Sequence, residues 1–162
     1  MSDEARRIGR GALWGLAATV IMAPFMAIGR LISARAPLFP ELIAGHLIHR
    51  THGALVAVVS VLGHLGYGML AGALFAAFAR PMTLVKGIGY GVLLWFIMQV
   101  IFLPWIGWSD FGLAHSPRGG FAFYTLLLHL VYGLALGQLG AHDEVTHHAS
   151  FDELGHLRHV VV

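Results

Sequence analysis

Long apolar runs separated by short polar connections set the character of this chain. Charged residues occur at the N-terminus, in the connections and in the last twenty or so positions, and hardly anywhere between. Four runs, about 11–32, 54–79, 87–107 and 119–141, are each long enough for a spanning helix, which needs about 20 mostly apolar residues. The pattern predicts an all-α, polytopic membrane protein: a four-helix transmembrane domain over 1–141 and a polar, histidine-rich tail over 142–162. Between the first two runs lies Pro37-Leu38-Phe39-Pro40-Glu41, leading to His46, His49 and His52. Pro40 suits the first turn of a helix and Glu41 its positive end. A short interfacial helix is expected there, in the first extracytoplasmic loop. Ser150 and Glu153 have capping-box spacing, so a separate short helix is expected over 151–159.

One phrase occurs twice. His64-Leu65-Gly66-Tyr67-Gly68-Met69-Leu70-Ala71-Gly72 returns as His129-Leu130-Val131-Tyr132-Gly133-Leu134-Ala135-Leu136-Gly137, an offset of 65. Runs one and three also match at an offset of 80, with Ile8-Gly9 against Ile88-Gly89, Gly11 against Gly91 and Pro24 against Pro104. Two helical hairpins in tandem are therefore expected, both in the same orientation and related by an axis along the membrane normal. Pro24 and Pro104 are expected to kink their helices at matching points.

Composition supports this class. Apolar residues make up 57% and charged residues 11% of the chain, against about 25% charged in soluble domains. There is no cysteine, which removes disulfides and thiolate chemistry. The calculated pI of about 9.4 reflects a small arginine excess without a basic cluster, so nucleic acid is not an expected partner. Arg6, Arg7, Arg10, Arg80 and Lys86, with Arg158 in the tail, fall on one side. Arg30, Arg35, Arg50 and Arg118 fall on the other. The bias places both termini in the cytoplasm of a prokaryotic inner membrane. The arginines ahead of the first run resemble the charged end of a secretory signal. That run is nevertheless long enough to span and has a later counterpart, so it is expected to stay.

His64 and His129 stand at membrane depth, where an ionisable side chain is a functional candidate by default. Each shares a helix face with two glycines, Gly68 and Gly72 or Gly133 and Gly137, because positions i, i+4 and i+8 align. These glycines are small-xxx-small packing faces. Three readings of the histidine pair are open. They are hydrogen-bonded struts to a neighbouring helix, ligands of one haem b iron or another transition metal, or a proton relay. His46, His49 and His52 are spaced by three and are candidate metal ligands, with Glu41 or Asp110 as helpers. Asp110 and His115 share the other outer loop. The tail histidines, His142, His147, His148, His156 and His159, suit weak metal binding. Thr19, Ser60 and Gln99 are expected to be helix–helix glue. Met22 and Met26, one turn apart, are expected to pack in the core. Every Asp and Glu lies outside the expected spans, and no nucleophile has a base beside it, so an enzyme is not expected.

The glycine-rich first helix, Pro104-Trp105-Ile106-Gly107, and the closing Leu128-His129-Leu130-Val131-Tyr132-Gly133 phrase resemble a family of uncharacterised four-span prokaryotic membrane proteins. The resemblance covers about residues 8–141 and implies a four-span bundle without a known activity. Two functions are weighed. One is a non-enzymatic accessory subunit of a larger membrane complex, a respiratory one among the candidates, in the bilayer with other subunits or as a homo-oligomer. The alternative is a small metal- or haem-handling membrane protein or transporter built on His64 and His129. A membrane enzyme with an outer His/Asp metal site ranks behind both.

Overall fold

The computed structural model describes residues 2–32, 38–115 and 119–160, with only the helix path given for 32 and for 144–160. All regular structure among the described residues is helical. Helix α1 runs Asp3–Ile32, α2 Phe39–Ile48, α3 Ala54–Phe78 and α4 Leu84–Ile97. A π turn, Met98–Phe102, carries α4 into a short last turn, α5 Leu103–Trp105. A single 3-10 turn, Asp110–Gly112, precedes α6 Gly120–Val160. Four segments are long and apolar enough to cross a membrane: Asp3–Leu31, Ala54–Phe78, Leu84–Trp105 and Gly120–Asp143. Only 22% to 44% of their most apolar windows is buried inside the protein. Most of that apolar surface therefore faces outward, as it does where a bilayer or a partner covers it.

Helix α1 begins well before residue 11 because Asp3 and Glu4 occupy its first turn, where acidic groups favour the positive end of the helix. Helix α2 forms where Pro40 and Glu41 place it. The Glu41 carboxylate accepts from the Leu38 backbone N–H at 3.3 Å and pairs with Arg30 of α1. The tail differs from expectation. No separate helix forms at 151–159, because α6 continues unbroken to Val160. Residues 142–150 contain neither glycine nor proline to stop it.

Helix α1 packs on α3 and α6, α4 packs on α6, and α2 lies against α3. Both main seams are glycine seams. A Cβ on Gly15 would strike the Gly68 carbonyl oxygen and the Gly72 backbone. A Cβ on Gly87 would likewise strike the Gly133 carbonyl oxygen and the Gly137 backbone. Gly68, Gly72, Gly133 and Gly137 are thus the close-approach positions their spacing predicts. The equivalence between first and third spans is another matter. Gly15 stands to Gly68 and Gly72 as Gly87 stands to Gly133 and Gly137, an offset of 72 and not 80. Gly9 and Gly89, matched at 80, both face open space. The two prolines also differ. Helix α1 stays α-helical through Pro24, which lacks the N–H of one rung. Ahead of Pro104 the Leu103 N–H instead reaches five residues back to the Met98 carbonyl.

Five polar contacts gather one end of the bundle. Arg7 donates to the Ala77 carbonyl at 3.0 Å, Arg80 pairs with Glu4 at 2.8 Å, and Arg10 pairs with Asp143 at 3.2 Å. Lys86 donates to the Arg80 and Pro81 carbonyls at 2.8 and 2.9 Å. The start of α1, the end of α3, the start of α4 and the exit of the last span therefore share one side. Arg35 and Arg118 lie outside the described residues.

Candidate functional site

A cavity of about 1160 Å³ opens between α1, α2, α3 and α6, with Leu94 and Met98 closing it from the fourth span. Its walls are mostly apolar: Met22 and Met26 from α1, Ile43 and Leu47 from α2, Leu128 and Val131 from α6. His64 and His129 both line it. The doubled phrase therefore points its two histidines toward one shared space.

The two copies are not equally satisfied. In the second copy Thr125, His129 and Tyr132 occupy positions i, i+4 and i+7, on one face of α6. Thr125 donates within its own helix and accepts from Gln99 Nε2 at 3.0 Å. His129 Nδ1 lies 2.7 Å from the Thr125 carbonyl oxygen, one turn back. Tyr132 donates to the Gly68 carbonyl of α3 at 2.9 Å. The first copy presents Ser60, His64 and Tyr67 at the same spacing, and all three line the cavity. Neither hydroxyl has a hydrogen-bond partner among the described residues, and His64 Nε2 is buried without one.

This corrects the strut expectation. Among the described residues His129 bonds its own helix, not a neighbour, and His64 Nε2 bonds nothing. Tyrosines make the crossings: Tyr132 to Gly68, Tyr90 to the Ala71 carbonyl at 2.9 Å, and Tyr124 to the Phe25 carbonyl at 3.1 Å. Trp95 adds a bond from the fourth span to the Ala122 carbonyl at 3.0 Å. A clue lay in the sequence, since a buried tyrosine hydroxyl usually finds a partner. Of the residues expected as helix–helix glue, Gln99 does bond across, to Thr125, whereas Thr19 bonds the Gly15 carbonyl of its own helix at 2.8 Å and Ser60 has no partner among the described residues.

The expected metal site at His46, His49 and His52 does not assemble. His46 packs edge-on against Trp105, with ring centroids 4.9 Å apart. His49 caps α2 in a left-handed conformation, φ 53°. His52 lies beyond the helix, 2.8 Å from the Thr51 hydroxyl. Their spacing of three spans the end of α2, so the chain turns away before the third residue can join. Glu41 is committed to Arg30, and His115 stacks on Trp108 at 4.4 Å. Among the described residues no three His, Asp or Glu side chains are grouped to hold a metal ion. The side chains of His147, His148, His156 and His159 lie outside the described residues. No family model, curated protein or solved structure matches the chain.

Proposed function

We propose that this chain is a non-enzymatic integral membrane protein that holds one apolar small molecule inside its bundle. The observation that carries this reading is the cavity of about 1160 Å³ with both repeated histidines in its wall. Small-molecule sites are mostly apolar concavities of about 300–1,000 Å³ with a few placed polar groups. A purely structural accessory subunit has no need of such a space, so ligand holding ranks above it here. Membership of a larger membrane complex is then the setting in which the ligand is used.

In this reading α1–α3 and α4–α6 are two tandem hairpins of like orientation, and α2 lies at the extracytoplasmic interface. Both termini are cytoplasmic in a prokaryotic inner membrane. The doubled glycine seams support the pairing, and the arginine-rich end of the bundle supports the orientation. The resemblance to four-span prokaryotic membrane proteins accords with it.

Haem b fits this site only in part. His129 suits an axial ligand, because Nδ1 on the Thr125 carbonyl leaves Nε2 for a metal. His64 does not, because its Nε2 is sealed within protein. A metal-free apolar ligand therefore ranks above haem. Purification of the full chain in mild detergent, followed by organic extraction and mass spectrometry, tests the reading. One apolar molecule per chain, enriched over bulk lipid, is the expected result. A Soret band lost in His64→Ala would restore haem. A chain that carries nothing and takes up nothing from a supplied lipid-soluble pool contradicts the reading.

A further inference from the structure

We infer that the ligand is a quinone or hydroquinone with an apolar tail, that its ring sits against Ser60, His64 and Tyr67, and that it enters from the bilayer between α3 and α6. This rests on the cavity being a ligand site.

The first support is the broken equivalence between the two copies of the repeated face. Thr125, His129 and Tyr132 find partners within the protein. Ser60, His64 and Tyr67, at the matching positions, leave two hydroxyls and an imidazole without any among the described residues; His64 Nε2 is closed off by protein, so Nδ1 is the nitrogen left to face a ligand. A polar group left unbonded in an apolar setting costs more than a made hydrogen bond contributes. Three on one face, at i, i+4 and i+7, mark a surface that a bound molecule completes. Groups one turn apart stand about 5–6 Å from each other along a helix, close to the separation of two oxygens across a six-membered ring. Hydroxyls donate to a quinone carbonyl and accept from a hydroquinone hydroxyl, so the same face serves both forms. Opposite, His129 is the tautomer with Nδ1–H toward Thr125, which leaves Nε2 as an acceptor. Arg30, the formally charged residue of the wall, is paired with Glu41, so the polar face itself offers hydrogen bonds and no charge to match a carboxylate or a phosphate.

The second support is the wall. Met22, Met26 and Met98 line the cavity together with Phe121 and Tyr124. Thioether sulfur makes favourable contacts with flat aromatic rings, and aromatic rings stack on one another. The volume exceeds that of one ring and leaves room for a chain.

The third support is the route. Helices α3 and α6 scarcely touch along their length, although Tyr132 ties them at Gly68. Gly63 and Tyr67 of α3 and Leu127 of α6 line the cavity and are also exposed, Tyr67 at 40% and Leu127 at 46%. The cavity is thus open sideways at membrane depth, where a lipid-soluble molecule is concentrated. Toward the outer side α2 covers it with Phe39, Ile43 and Leu47.

The test uses the full chain in nanodiscs, with a short-tailed benzoquinone carrying ¹³C at its carbonyls as the probe. Saturable binding of one molecule per chain is expected, with the carbonyl stretch moved to lower wavenumber by hydrogen bonding. Ser60→Ala and Tyr67→Phe should each weaken binding by about three- to tenfold and reverse part of the band shift. Tyr132→Phe, whose hydroxyl is already engaged, should leave the shift in place. Each variant is compared at equal elution volume with the parent, and either of the first two suffices if the other fails to fold. A bound quinone with an unshifted band, or one indifferent to both variants, overturns the inference while the cavity remains a ligand site. Saturable binding of a long-chain fatty acid or of haem b but not of quinone does the same. If none of the three binds saturably, both the inference and the proposed function fall.

Discussion

At the scale of single residues, the most telling comparison is between Tyr67 and Tyr132. Both close the same His-x-x-Tyr-Gly phrase, yet among the described residues only Tyr132 has a bond, to the Gly68 carbonyl. Hydrogen bonds between membrane helices average about 0.6 kcal/mol and reach about 1.7. Tyr132→Phe should therefore lower stability by that order. Tyr67→Phe should leave it unchanged within about 0.3 kcal/mol, since no such bond is lost. Unfolding of each variant in mixed micelles by graded addition of SDS measures this. Equal losses would mean that Tyr67 is satisfied in the folded protein after all, and the argument from an incomplete face would fail.

At the scale of elements, the four spans were legible because apolar length is a local property. The run over 54–79 corresponds to Ala54–Phe78, and the run over 119–141 to Gly120–Asp143. The packing register was not legible in the same way. Matching Gly9, Gly11 and Pro24 to Gly89, Gly91 and Pro104 aligns letters, but helices meet where small side chains oppose one another. That condition selects Gly15 with Gly87 instead. The π turn at Met98–Phe102 was hidden for a similar reason. Pro104 announces a disturbance, yet Pro24 carries the same letter inside an unbroken α-helix. The histidine pair was legible as a candidate because the phrase is doubled. The inequality of its two copies is a tertiary fact, set by whether Gln99 and Gly68 reach them. The register makes its own prediction. Leucine at Gly15 or Gly87 forces two backbones apart, and overpacking costs about 1–3 kcal/mol. Leucine at Gly9 or Gly89 meets open space and should change stability by less than about 0.5 kcal/mol. Thermal midpoints of the four variants distinguish the offsets, and harm from Gly9→Leu and Gly89→Leu alone would favour the offset of 80.

At the scale of the whole molecule, contacts at one end set the relative sidedness. Arg10 with Asp143 and Arg80 with Glu4 bring the beginning of α1, the α3–α4 connection and the exit of α6 together. In the proposed orientation, the excess of arginine and lysine there puts this end in the cytoplasm. The chain lacks cysteine, so single cysteines report position cleanly. Thr51→Cys should react with an impermeant maleimide in intact cells, and Ser2→Cys should react only after the cells are opened. The reverse pattern would invert the molecule and place α2 inside.

The central claim is that the space between α1, α3 and α6 is a binding site. Gly63 lines that space and has no atom within 4 Å of where its Cβ would be. Gly63→Trp should therefore fill the opening without disturbing a helix contact. The direct measurement is equilibrium titration of the parent protein and of Gly63→Trp with an environment-sensitive naphthalene dye, at matched elution volume in the same detergent. The account predicts saturable binding at one dye per chain for the parent and affinity at least about tenfold weaker, near 1.4 kcal/mol, for the variant. Equal, unsaturable partition of the dye into both would contradict it.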